Sequence, residues 1–409
     1  MPRFLLLLLS LTLGLQLKAI EVCPTCPVSS IVQAVEMAEP GEEIVVRGGT
    51  YREGNIAIKK SIQLRGVDFP VVDGENKYEI FTIQAPGVTI EGFRLINAGK
   101  STLKDMAAIR VDHQRHFSIC GNEIQNAQFA IYLAYATDGI VEDNFLEGEA
   151  QDEISSGNGV HCWYARRLFI ANNTILRHRD GIYLEFTDSS RIIGNWSEHN
   201  VRYGLHFMFS NNDVYNDNTF LNNGAGVAVM FSKKIGMYRN RFERNWGTAS
   251  YALLLKEIYD ADLQHNLFIS NTIGILMEGA TRIEYKNNLF LSNGWAIQMT
   301  GGCIDNHFTE NAFVSNSQDM VVNSSVNNNT FDGNYWSEYA GYDLDRDGFG
   351  DVPHRPVKLF SYITSQTPEA IVLLRSFFVD LLNFAEKVSP VLTPANVLDN
   401  KPLLQQPTT

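Results

Sequence analysis

Asparagine recurs along this chain at a spacing near 22 residues, and no other feature restricts the fold as much. Of its 35 asparagines, 29 lie between Asn122 and Asn334. An Asn followed within two places by an apolar residue stands at 122, 144, 173, 195, 218, 240, 266, 288, 311 and 329. The steps are 22, 29, 22, 23, 22, 26, 22, 23 and 18. From Asn195 a second Asn often follows five residues on, as in Asn195/Asn200, Asn218/Asn223 and Asn329/Asn334. Fainter repeats precede them at Ser61–Gly66 and Val88–Gly92.

A helical repeat needs a dozen or more residues of 3.6-period pattern, and the repeats have none. Each holds short alternating stretches instead, such as Gly181-Ile-Tyr-Leu-Glu-Phe186 and Gly226-Val-Ala-Val-Met-Phe231. The expected fold is therefore all-β: a right-handed parallel β-helix solenoid of about twelve coils, hydrogen-bonded from coil to coil. Asn suits its corners because it tolerates left-handed backbone, and stacked amides can bond the coils above and below. The expected divisions are a signal peptide over 1–19, an N-terminal segment and cap over 20–60, the β-helix over 61–336, an Asp-rich loop over 337–358, and a C-terminal amphipathic helix and tail over 359–409.

Composition narrows the function. With 33 Lys and Arg against 46 Asp and Glu, the net charge is −13. That surface argues against nucleic acid and anionic membrane as main partners. Charged residues are 19% and aromatics 11%, which excludes disorder for most of the chain. Arg3, the apolar run Phe4–Leu17 and Ala19 read as an export signal, with an uncleaved anchor as the alternative. The compartment expected is the periplasm.

Three segments on consecutive repeats carry a more specific signal: Gly157-Asn-Gly-Val-His161, Arg179-Asp-Gly-Ile-Tyr183 and Arg202-Tyr-Gly-Leu-His-Phe-Met-Phe-Ser210. Gly333-Asn-Tyr-Trp336 and Gly341-Tyr-Asp-Leu-Asp-Arg-Asp-Gly-Phe-Gly-Asp-Val-Pro353 follow. Together they resemble the NosD family of periplasmic maturation factors, from about residue 29 to the end. The resemblance implies a docking and delivery protein without catalytic turnover. Its implied partners are an ABC transporter membrane subunit, the cognate ATPase, a copper chaperone lipoprotein and nitrous oxide reductase, whose copper-sulfide cluster is built after export. Association with the inner membrane is then through partners.

Copper candidates follow from the strand register. Counting from the anchor asparagines puts His206, Met208 and Met230 on one outward, exposed stripe of neighbouring coils, and imidazole plus thioether suits Cu(I). A client-binding patch explains the same residues, since exposed Met is a good contact side chain. Cys23 and Cys26 offer two further sulfurs or a local disulfide; they lie outside the stretch that resembles the family. Asp343, Asp345 and Asp347, with Asp351, open like a calcium loop, although position twelve is His354 rather than Glu.

Residues 368–388 break the asparagine pattern. They read as one amphipathic helix between Pro368 and Pro390, serving either as an end cap or as a tether to the membrane subunit. The rival function is a polysaccharide lyase or epimerase acting on uronate polymers, with Asp180, Tyr183, Glu185, Arg202 and His206 as its residues.

Overall fold

The computed structural model describes residues 19–246, 251–323, 328–374, 376–388 and 397–407. Residues 1–18 of the signal peptide expected over 1–19, and the expected helix stop at Pro390, lie outside these residues.

The chain winds into a parallel β-solenoid. Three sheets run its length, with fourteen, thirteen and twelve strands among the described residues. In one coil, Arg191–Ile193 belongs to the first sheet, Trp196–Glu198 to the second and Tyr203–Met208 to the third. Each strand pairs in parallel with its equivalents one coil before and one coil after.

Alternation fills the interior. Leu205, Phe207, Val227 and Val229 are fully buried, pointing inward from the third sheet. From the second sheet Phe220, Phe242, Phe268, Phe290, Phe313 and Trp336 stack ring on ring, with centroids 4.2–5.3 Å apart. Repeats of one period place the same side chain at the same depth, so a ladder of identical rings results.

The asparagines form ladders as expected. Nδ2 of Asn195 donates to Oδ1 of Asn218 (3.0 Å), Asn218 to Asn240 (3.0 Å) and Asn240 to Asn266 (3.0 Å). The same amides also bond backbone, as Asn240 Nδ2 does to Tyr215 O (3.0 Å). A second ladder runs from Asn200 to Asn316 and ends on Asp319.

Two details of the expectation are corrected. The main ladder passes from Asn311 to Asn334, a step of 23, whereas Asn329 accepts from Asn306 in a separate short ladder. The left-handed corner residue is not the ladder Asn but the one before it: Gly121, Asp143, Asn172, Gly194 and Asp217 have φ of 53–65°. The ladder Asn is kept for its amide, and its neighbour makes the turn.

The coils also begin earlier than residue 61. Ile20–Val22 pairs with Ile44–Val46, and Glu43–Val46 pairs with Gln63–Gly66. These first coils lack the Asn register, so the period does not reveal them. Helix α1 (Ile31–Met37) covers that end with buried Ile31, Ala34 and Val35. Its start is capped by Ser30 Oγ, which accepts from Gln33 N–H (3.1 Å), and by Glu53, which accepts from Ile31 and Val32.

At the other end the single helix expected over 368–388 is divided. Helix α2 spans Leu359–Gln366, a 3₁₀ segment Pro368–Leu373, and helix α3 Phe377–Val388. Pro368 lacks the N–H that would continue α2. Glu386 of α3 accepts from Leu359 N–H (2.6 Å), so one helix caps the other. The last coil is closed by α2 and the tail together: α2 packs on Gln318–Val322, with Ser361 Oγ donating to Gln318 Oε1, while Asp399 bridges to Phe331 and Leu403 to Tyr335.

Candidate functional site

The outer face of the third sheet carries the copper candidates in the register expected. Tyr183, His206 and Ala228 are direct neighbours on successive coils, as are Glu185, Met208 and Met230. Adjacent coils are about 4.8 Å apart, so the two thioethers stand side by side. Both Met side chains are half-buried and reachable.

His206 departs from the expectation of exposure. It points outward yet is only 4% exposed. The Tyr183 ring stacks on it at 4.6 Å and 20°, and Tyr203 leans over it at 4.8 Å. Alternation sets which way a side chain points; the rings contributed by neighbouring coils decide whether solvent reaches it. Neither His206 ring nitrogen has a hydrogen-bond partner, and Nδ1 stands 3.8 Å from Asp180 Oδ2, beyond bonding reach.

Asp180 is fully buried and held by Arg202, whose Nε donates to Oδ1 (2.8 Å) and whose Nη2 donates to Oδ2. Burial alone would raise its carboxyl, but the guanidinium holds it well below the usual carboxylate range. The five residues of the lyase or epimerase reading thus share one face, but Arg202 is committed to Asp180 and is not open to a substrate carboxylate. Burial also pushes the Tyr183 phenol above its ordinary value, which makes it a poor base.

Three members of this face, Arg110, Tyr132 and His161, were not among the candidates read from sequence. Arg110, Tyr132, His161, Tyr183 and His206 occupy a single register position on five successive coils. His161 stacks on Tyr132 at 4.5 Å, and burial lowers its ring to about 3, so it is neutral at physiological pH. The recurrent Gly-x-His and Gly-x-Tyr spacing was the available signal.

The other candidates lie elsewhere. Cys23 and Cys26 are joined in a disulfide on the first coil, so neither offers a thiolate to copper as they stand. Asp343, Asp345 and Asp347 each bring a carboxylate oxygen within 4.8 Å of the others. Asp351 does not complete them as expected: its Oδ2 accepts from Leu344 N–H (2.7 Å). Although the Asp347 N–H lowers it, the neighbouring Asp347 charge leaves Asp345 above the ordinary carboxylate value.

Comparison with known proteins bears on this arrangement. Residues 147–341 match the family described as "Periplasmic copper-binding protein (NosD)", a stretch that contains Asp180, Arg202, His206 and both methionines. The "Probable ABC transporter binding protein NosD" of Pseudomonas aeruginosa is 30% identical over 375 residues, covering 87% of this chain and 86% of that protein. This chain belongs to the NosD family. The protein of the same name from Stutzerimonas stutzeri is 30% identical over 384 residues, covering 88% and 86%.

Among solved structures, the Dettilon tailspike protein superposes with a TM-score of 0.58 at 13% identity, over 74% of this chain and 66% of its own. A Yersinia enterocolitica family 28 exopolygalacturonase gives 0.56 at 9% identity, over 73% and 74%. Such identities establish the shared solenoid and no more. The NosD assignment thus rests on sequence over most of the chain, and the fold alone would not have separated it from sugar-processing solenoids. Among the described residues no helix is long and apolar enough to cross a membrane.

Proposed function

We propose that this NosD-family chain is a periplasmic accessory protein that hands copper to nitrous oxide reductase during assembly of its copper-sulfide cluster. It does so docked to an ABC-type transporter, through the membrane subunit that works with the ATPase, and it receives copper from a chaperone lipoprotein. The observation that carries this reading is the register pair Met208 and Met230, two reachable thioethers on adjacent coils. A thioether pair is a soft, incomplete ligand set that takes Cu(I) and leaves positions for a partner's ligands. His206 is a third donor, which joins only when Tyr203 moves off it. The family's description as periplasmic and copper-binding supports the cargo, and the relatives' name supports the transporter.

Two further parts complete the proposal. Helix α3 is the tether to the membrane subunit, because Phe377, Leu381, Phe384 and Val388 leave its apolar side exposed. The loop of Asp343, Asp345 and Asp347 takes calcium and stiffens the end of the rod. Non-enzymatic action fits an Arg202 already engaged by Asp180.

The deciding experiment is Cu(I) competition against a chromophoric chelator. Met208→Ala with Met230→Ala is expected to weaken Cu(I) binding by about tenfold or more while circular dichroism stays unchanged. His206→Ala is expected to have a smaller effect. Unchanged affinity in the double Met variant removes copper from this face.

A further inference from the structure

Beside the methionines runs a second column that the copper reading does not use. His113, Tyr135, Tyr164, Phe186, Phe209 and Phe231 follow the third-sheet strands on six successive coils. Their rings stack in order, with centroids 4.3, 5.4, 4.6, 5.2 and 5.1 Å apart. The column is about 24 Å long. Unlike the interior ladders it faces solvent: Phe186, Phe209 and Phe231 are 38–40% exposed.

The fold does not require these rings. All six residues have φ between 49° and 54°, the left-handed region that bulky side chains rarely occupy. The next two coils turn the same corner with Glu257 (φ 50°) and Gly279 (φ 64°). Six aromatic residues held in a conformation that disfavours them, on the outside of the rod, point to contact with something else.

The chemistry of the ridge selects the occupant. Sugars are bound by aromatic faces, but here each face is covered by the next ring, and solvent sees mostly edges. An apolar protein surface packs against such a ridge; a glycan does not. Charge narrows the choice further. The four-residue corner segments that these aromatics open carry Arg115, Arg166, Lys233 and Lys234 against Asp188, with Arg167 and Asp138 paired to each other, on a chain whose net charge is −13. The partner's strip is therefore edged by carboxylates.

Position decides which partner. Phe186, Phe209 and Phe231 each follow directly on Glu185, Met208 and Met230. Two thioethers leave Cu(I) incompletely held, so the ion moves while the donor's own ligands still grip it, and the donor must already be seated alongside. We infer that this aromatic ridge, with its basic fringe, is the docking surface for the copper-donating protein, which meets it through an apolar strip edged by acidic residues. The inference rests on the copper-transfer reading above.

The test uses the full mature chain and the lipid-free domain of the copper-carrying lipoprotein, by calorimetry. Tyr164→Asn, Phe186→Asn and Phe209→Asn are combined, because Asn keeps the left-handed backbone without strain. Docking is expected to weaken at least about tenfold, while Cu(I) affinity of the chain alone is unchanged. Arg166→Glu with Lys233→Glu is expected to weaken docking too, and to reduce its salt dependence. Trp196→Asn, an exposed aromatic on the second sheet, is the control and leaves docking unchanged. Docking within twofold of the parent in the triple variant overturns the inference, as does binding of nitrous oxide reductase, but not of the donor, to this ridge. Loss of docking in the ridge variant together with unaltered Cu(I) affinity in the Met208/Met230 variant keeps the docking surface and removes the copper site.

Discussion

Asp399 Oδ2 accepts both the side-chain Nδ2–H of Asn334 (3.1 Å) and its backbone N–H (3.0 Å), across 65 residues of chain. It also accepts from Trp336 Nε1 (3.0 Å), and its Oδ1 accepts from Gly333 N–H (3.2 Å). An open solenoid leaves donors of its last coil without partners, and one carboxylate from the tail accepts from four of them. Asp399→Ala is expected to destabilise that end by about 3 kcal/mol or more, since each stranded buried donor costs about 1–3 kcal/mol. A solenoid's stability is local, so the loss is confined to neighbouring coils. Hydrogen exchange should accelerate at Tyr335–Trp336 and stay unchanged at Tyr203–Met208; uniform protection in the variant refutes the latch.

Helix α3 gives a second expectation. Phe377, Leu381 and Phe384 stand 80, 52 and 65% exposed, while Val379 alone of the helix's large apolar residues is fully inside. Spacings of four and three residues put the exposed set on one side. Changing all three to Ser is expected to shift stability by no more than about 0.5 kcal/mol per site. Co-purification with the membrane subunit should nevertheless be lost. The tail with Asp399 is retained in this variant, so the rod end stays closed. Retained co-purification defeats the tether.

How much of this was legible beforehand depends on the range of the interaction concerned. The Asn period showed through because each amide bonds its equivalent one coil away, which enforces a spacing along the chain. Residues 20–60 are joined by backbone pairing and by ion pairs such as Arg47–Glu21, with no amide ladder, so no repeated residue announces a coil. Asn329 and Asn334 sit in an Asn-rich stretch, where the step of 23 from Asn311 to Asn334 fits the period and the step of 18 to Asn329 does not; the Asn311 amide bonds Asn334 accordingly. The register of Met208 and Met230 was countable, but the cover over His206 comes from Tyr183 on the preceding coil and from Tyr203 three places back in its own strand. The aromatic ridge passed unnoticed because its residues lie just beyond each strand, where a corner is expected to be polar.

The Asp-rich loop is expected to bind calcium only modestly. Asp343, Asp345 and Asp347 converge, but Asp351 is engaged with Leu344 N–H, and His354, at position twelve, packs against Trp336 at 5.1 Å. Without a bidentate twelfth ligand, the expected Kd is about 10⁻⁴–10⁻³ M. At 10 mM calcium this stabilises the loop by about 2 kcal/mol. Asp345→Asn should abolish the heat of binding in calorimetry, and no heat from the parent chain at millimolar calcium eliminates the site.

Asp213 supplies a pH dependence inside the rod. Its Oδ1 accepts from Ser190 N–H (2.7 Å), but its Oδ2 is buried without a partner. Burial, helped by the nearby Asp188 charge, pushes its carboxyl well above the ordinary carboxylate value. A group whose pKa is raised on folding favours the folded state when protonated, and that advantage fades as pH rises past the unfolded value of about 4. Asp213→Asn removes the titration while retaining the Ser190 bond. Its amide can also donate to a neighbouring carbonyl, as Asn306 Nδ2 does to Ala280 O (3.0 Å) at the corresponding corner. The variant should match the parent near pH 4 and exceed it by about 1–3 kcal/mol at pH 7, the cost of a buried polar atom left without a partner. Urea unfolding followed by tyrosine fluorescence at both values measures the difference. An equal gap at the two pH values would show that the Asp213 carboxyl is already ionised in the folded rod.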